Sequence, residues 1–315
     1  MSFSVNIDKK GLFEVITLKD ESVGTTAEIY SFGALLNAFT ITTKNGRKNI
    51  IDGFASPADA KQNITKAFKS AKLSPFVCRL ENGEYVYDDD KLKIQKFYLG
   101  NEAIHGLLYD ASFAITDTGK NNKRSFVRLD FEYSNMNEGY PFHYLIEVKY
   151  ELSTNNFLSI QTVVTNTGDT DMPLSDGWHP YFRLGETVND LDVMFNTNTM
   201  LEFDNRLLPT GNFIEYKKFE QMKSFGQTSL DNCFLLKDST SPSCILKDEK
   251  TGLELAIQPD ASYRYLQVYT PPHRKSIAIE NLSGAPDAFN NGIGIIIAKP
   301  GEQYCFSTSY QITTL

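Results

Sequence analysis

"HYLIEVKYEL", residues 143 to 152, alternates with a period of two: Tyr144, Ile146, Val148, Tyr150 and Leu152 fall on one face, Glu147, Lys149 and Glu151 on the other. That spacing fits a strand with one buried and one wetted face, and it does not fit a helix, whose apolar residues recur every three or four positions. The same alternation recurs in "FLSIQTVVTN" (157–166), "SYRYLQVYT" (262–270), "KSIAIENL" (275–282) and "YCFSTSYQI" (304–312). Each is bounded by Gly, Pro, Asn or Asp clusters that supply turns. Many short strands with frequent turns predict an all-β protein, a large antiparallel β-sandwich with few short helices. One surface helix is expected within "SPADAKQNITKAFKSAK" (56–72), with Ser56 as N-cap, Pro57 at the first helical position, and Ala60, Ile64, Ala67 and Phe68 at helical spacing.

No internal repeat, low-complexity tract or Pro/Ser-rich linker divides the chain, so residues 1–315 read as a single domain. With 41% hydrophobic and 22% charged residues the composition is that of an ordinary globular protein with a real core. The formal charge of -8 and the lack of any run of Lys and Arg argue against a nucleic-acid partner. The opening "MSFSVNIDKKGLFEVITL" (1–18) has neither the basic start nor the apolar stretch of a signal peptide, and no window approaches a membrane span. A cytoplasmic protein without a membrane partner is the expectation. Cys78, Cys233, Cys244 and Cys305 are far apart, without CxxC pairing or a histidine at metal spacing, and read as reduced, mostly buried thiols with no metal site.

The chain has four histidines, few enough to weigh one by one, because imidazole titrates near neutrality and suits proton transfer. His143 is out of phase with the apolar face of its own strand and is expected in solvent beside Glu147; His273, in "TPPHRKS" (270–276), belongs to a polar turn. In "SDGWHPYFRLG" (175–185) Pro180 biases His179 to an extended conformation. Alternation then sets His179 and Tyr181 on one face, looking into a cleft, and Trp178 and Phe182 on the other, locked into the core. A core histidine bonded to a backbone carbonyl is the competing reading. His105, in "NEAIHGLLYD" (101–110), is followed by Gly106, which permits a turn or a close approach by a ligand. Glu280, in "IAIENLSGAPDAFNNG" (277–292), points opposite to Ile277 and Ile279 just before a turn-rich loop; it is either a general base at a cleft rim or a solvated carboxylate. Asp231 in "SLDNCFLL" (229–236) and Arg79 in "FVCRLENGEY" (76–85) are charges in apolar surroundings that require partners, from the protein or from a ligand.

Taken in order, these motifs resemble the aldose 1-epimerase (galactose mutarotase) family across roughly residues 20 to 312. "FVCRLENGEY" is similar to its strand with a binding arginine, "NEAIHG" to its N-x-x-x-LHGG segment, and "GYPFHYLIEVKYEL" to its GYPG-type strand. "HPYFRL" is similar to HPYFNL, "LDNCF" to D-D-x-F, and "AIENLSGAPDAFN" to the closing E-x-x-…-PDA segment. The resemblance implies a galactose mutarotase-like supersandwich with a sugar cleft on a concave sheet face, and interconversion of the α and β anomers of a free hexose such as galactose or glucose. It implies Glu280 as base and His179 as acid, with His105, Asp231, Arg79 and Tyr181 binding the sugar, no cofactor, and a monomer or homodimer. Leu107 stands where a second glycine is usual, which bears on how the loop approaches the sugar; Arg183 where asparagine is common, and "DGWHP" (176–180) in place of the usual run before the histidine, leave room for a pocket fitted to another aldose or an acidic sugar. Two other classes remain: a carbohydrate-modifying enzyme on the same sandwich, for which hydrolysis would ask for two flanking carboxylates, and a non-catalytic sugar-binding or sensor protein.

Overall fold

The computed structural model describes residues 2–315. Of these, 53% are strand and 7% helix, as the alternation predicts. In the strand His143–Ser153 burial alternates residue by residue, and Tyr144, Ile146, Val148, Tyr150 and Leu152 are all completely buried. This strand sits within a nine-stranded sheet, paired antiparallel with Arg124–Ser134 on one side and Phe157–Asn166 on the other. The long closing strand Gln303–Thr314 pairs with Phe157–Asn166 and with Leu253–Pro259, so the end of the chain is stitched into the middle of the sheet.

A second sheet of eight strands faces the first. Its central strand Ile277–Leu282 lies between Tyr265–Tyr269 and the interrupted pair Gly177–His179 and Tyr181–Phe182. Aromatic rings fill the space between the sheets: Trp178 meets Tyr150 edge-on at 6.0 Å and Phe182 meets Tyr310 at 5.2 Å. These edge-to-face contacts add about 0.5–1.5 kcal/mol each beyond the area they bury. Trp178 and Phe182 therefore take the core side, as the alternation in "GWHPYF" requires, which leaves the opposite side of the same sheet for a cleft. A five-stranded antiparallel meander over residues 3–49 closes the sandwich at the amino end, and Tyr150 Oη reaches it by donating to the Ala34 carbonyl at 2.8 Å.

The helix spans Pro57–Ala67, capped by Ser56, whose Oγ accepts from the Asp59 amide at 3.1 Å. It is shorter than the apolar spacing suggests. Phe68 turns into the left-handed region (φ 51) and donates its amide to the Ile64 carbonyl, so the chain leaves the helix there and re-enters a sheet at Ala71–Leu73. Nor is it only a surface helix, since its last turn walls the cleft described below. Among the described residues no helix is long and apolar enough to cross a membrane. The cysteines are free thiols, buried at Cys78, Cys233 and Cys244 and exposed at Cys305.

If the two faces of His143–Ser153 have this division of labour, Ile146→Ala should cost about 2–5 kcal/mol in urea unfolding. Glu147→Ala, on the wetted face, should stay within about 0.5 kcal/mol of wild type. Equal losses from the two would mean the strand is not set in this register.

Candidate active site

The floor of the cleft comes from the side of the eight-stranded sheet that faces away from the core. Pro180 has no N–H to give the ladder, so the strand breaks after Gly177–His179 and resumes at Tyr181–Phe182. Ile279 bridges the gap by donating to the Pro180 carbonyl at 3.3 Å. This sets His179 beside Glu280, with Nε2 3.3 Å from Oε1. The Tyr181 ring stacks on the His179 ring at 5.0 Å and 22°, and the His105 ring meets it edge-on at 4.8 Å.

His105 enters from a loop held against the Ser74–Cys78 segment, donating its amide to the Cys78 carbonyl at 2.8 Å. Both His105 (φ 64) and Gly106 (φ 74) are left-handed. Glycine is required at 106 because a Cβ there would lie 2.3 Å from the Ser74 carbonyl oxygen. A non-glycine residue in this region costs about 1–3 kcal/mol, a strain retained here where a ring is aimed into a cleft. Phe68, the left-handed residue that ends the helix, packs against the other side of His105 at 4.6 Å.

Asp231 heads the strand Asp231–Leu235 and accepts from Gln267 Nε2 at 2.8 Å; Gln267 in turn is the cross-strand neighbour of Glu280. Arg79 extends into the same space without a salt bridge or side-chain hydrogen bond to any described residue. The resulting cleft has a volume of about 200 Å³, and Arg79, His105, His179, Tyr181, Asp231 and Glu280 all line it. The six residues singled out from the sequence, drawn from five separate segments, thus converge on one site. His143 and His273 are exposed elsewhere, as their phase and context indicate.

Burial dominates the electrostatics. Glu280, only 1% exposed, is neither at a strand end nor solvated: it is mid-strand, and desolvation holds its carboxyl well above the usual value, reinforced by Asp231 and opposed by Arg79. Burial pushes His179 down to about 4 and holds His105 well below its ordinary value, the latter aided by the neighbouring His179 and Arg79. Asp231 is raised by burial against the pull of Arg79. Four buried polar atoms of residues that line the cleft, His105 Nδ1, His179 Nδ1, Gln267 Oε1 and Glu280 Oε2, have no hydrogen-bond partner on another described residue. A buried polar atom without a partner costs about 1–3 kcal/mol.

Gln267, Tyr269 and Phe68 also line the cleft and were not singled out from the sequence. Alternation in "SYRYLQVYT" carries the signal for the first two: Leu266 and Val268 go to the core, which leaves Gln267 and Tyr269 on the cleft face. Neither Leu107 nor Arg183 lines the cleft. Leu107 is buried in the core behind the His105 loop, and Arg183 is exposed, its charge bearing on Asp52 instead.

A protein-family profile described as Aldose 1-epimerase matches residues 14–311. The Escherichia coli protein YihR is 25% identical over 239 residues, covering 74% of this chain and 75% of the relative. The bifunctional protein GAL10 of Kluyveromyces lactis is 24% identical over 283 residues, 79% of this chain, which spans only 40% of that longer protein. In three dimensions the chain is similar to a galactose mutarotase-like protein from Clostridium acetobutylicum, with a TM-score of 0.88 at 19% identity over 100% of this chain and 99% of the other. That likeness establishes the fold as galactose mutarotase-like.

The buried state of Glu280 yields a stability test with a definite sign. A carboxyl whose folded value is raised costs nothing below the unfolded value, 4.5 for Glu, and costs progressively more as pH rises, because the unfolded chain ionises first. Glu280→Gln should therefore raise the melting temperature at pH 7 to 8, and the gain should vanish near pH 4. A gain independent of pH, or a loss at pH 8, would contradict the assignment.

Proposed function

The chain belongs to the aldose 1-epimerase family, and from that premise we propose that it interconverts the α and β anomers of a free hexose such as galactose or glucose by acid–base ring opening. The observation that carries this reading is the His179–Glu280 contact on the floor of a cleft whose buried polar atoms lack protein partners. Ring opening moves two protons. Glu280 takes the proton of the anomeric hydroxyl as the C1–O1 bond becomes a carbonyl; the C1–O5 bond breaks, and O5 takes a proton from His179. After the aldehyde rotates about C1–C2, the reverse transfers close the ring on the other face.

The pair therefore has to hold one proton in all. In the sugar-free site burial favours the neutral arrangement, with the proton on Glu280 and a neutral imidazole. Shifting it across the 3.3 Å contact gives the carboxylate and imidazolium that the reaction uses, and the Arg79 charge favours that shift. Arg79, Asp231 and His105 are suited to hold the sugar hydroxyls and ring oxygen, with Tyr181 stacked on the imidazole. Gln267 Oε1, orphaned beside Glu280, adds an acceptor for a further hydroxyl.

Polarimetry on freshly dissolved α-D-glucose and α-D-galactose tests the reading. Rotation should relax faster with the wild type, and His179→Ala and Glu280→Gln should each lower kcat by about 10²–10⁴-fold. Sugar binding without any acceleration would make the protein a non-catalytic binder. Because the acid limb of kcat/KM marks the uptake of a second proton by the pair, it should fall near pH 4, the depressed position of His179, and not near the 6.5 of a free imidazole. A limb at 6.5 would mean that burial does not depress the imidazole in the working site.

A further inference from the structure

We infer that Lys72 and Asp176, a fully buried ion pair on the core side of the sheet, are positioning residues that set His179 against Glu280. The inference rests on the acid–base reading above. Lys72 Nζ donates to Asp176 Oδ1 at 2.5 Å and to the Gly177 carbonyl at 3.1 Å, and it lies 4.4 Å from the centre of the Trp178 ring. One ammonium thus grips three consecutive residues, and the next residue is His179. The backbone follows the same line: Lys72 pairs with Trp178, Ala71 with His179, and the Ser70 amide donates to the His179 carbonyl at 2.9 Å.

Asp176 ties this grip to the base. Its amide donates to Ser283 Oγ at 2.8 Å and its carbonyl accepts from the Ser283 amide at 2.9 Å. Ser283 directly follows Ile277–Leu282, the strand that carries Glu280. From the connection between Leu253–Pro259 and Tyr265–Tyr269, Tyr263 Oη donates to Asp176 Oδ1 at 2.7 Å. The pair therefore links the strand of His179 to the strand of Glu280.

His179 needs such a device because no other residue holds its second nitrogen. A working imidazole is ordinarily oriented by a hydrogen bond from the nitrogen that does not react. Here Nδ1 is buried without a partner on any other described residue, so the ring depends on its own strand and on the rings packed around it. A strand of three residues ending at a proline is a weak support by itself. Burying an ammonium is costly, and desolvation pushes Lys72 down to about 8 despite the opposing Asp176 charge. Apolar residues would fill the same space at lower cost, which makes orientation the better account of the pair than stability. Lys72, Asp176 and Tyr263 do not line the cleft, so they act on the reaction only through other residues.

The test compares kcat, KM and melting temperature for two variants. Lys72→Met/Asp176→Asn removes both charges together and strands neither; Tyr263→Phe removes only the hydroxyl behind Asp176 and keeps the ring. Misplacement of a reacting group by about 1 Å costs about 10²-fold. The double variant should lose 10- to 100-fold in kcat at a KM within about two-fold of wild type, and Tyr263→Phe should lose several-fold, again in kcat alone. Unchanged kcat in Tyr263→Phe, or losses shared equally between kcat and KM, overturns the proposal; should the double variant not fold, Tyr263→Phe decides alone. A wild type that accelerates no aldose would sink the functional reading instead. The carbon-13 resonance of the His179 Cε1, one of four imidazoles in the chain, then decides the positioning in sugar-free protein. Displacement or broadening in Tyr263→Phe supports it, and an unmoved signal overturns it.

Discussion

Side chains on successive residues of a strand leave on opposite sides, and this constraint allows one sheet to be both a wall of the core and the floor of a site. Along Ile277–Leu282 it sends Ile277 and Ile279 into the core between the sheets and Glu280 into the cleft. The neighbouring segments obey it in step. Trp178 and Phe182 go inward while His179 and Tyr181 go outward; Leu266 and Val268 go inward while Gln267 faces the cleft. A shift of one residue in the pairing of any of these strands would exchange an apolar side chain for a charged one on both sides at once. The core therefore enforces the geometry of the site: the 3.3 Å approach of His179 to Glu280 is a consequence of cross-strand register.

The arrangement carries a cost that the rest of the molecule offsets. A carboxyl, two imidazoles and an amide are buried facing a cleft with several polar atoms unpartnered, and His105 is held in a backbone conformation that disfavours any residue but glycine. None of this helps the chain to fold. The apolar layer between the nine-stranded and eight-stranded sheets supplies the stability that offsets these groups.

Much of this was legible in the sequence, to the extent that the relevant physics is local. Period-two alternation revealed the strands and the face to which each residue points, and Ser56 with Pro57 marked the helix start, because capping involves residues three apart. The motifs brought out Arg79, His105, His179, Tyr181, Asp231 and Glu280. What lay beyond reach depended on partners distant along the chain. No local pattern says that Phe68 would end the helix and lie on His105, or that Gln267 would pair across from Glu280 and hold Asp231. The departures at Leu107 and Arg183 show the converse: an altered residue inside a motif need not face the site, and only the packed structure tells which way it turns.

Trp178 is the sole tryptophan of the chain, and it is wedged between Tyr150 and the Lys72 ammonium on the residue next to His179. Light absorbed at the red edge of the protein's ultraviolet band is therefore taken up at one place, directly beneath the cleft. Indole emission responds to the charge and polarity around the ring, so its colour and lifetime carry information on the back of the site without any label. The protein has a built-in optical gauge, and whatever disturbs the strand beneath the imidazole disturbs the fluorophore with it.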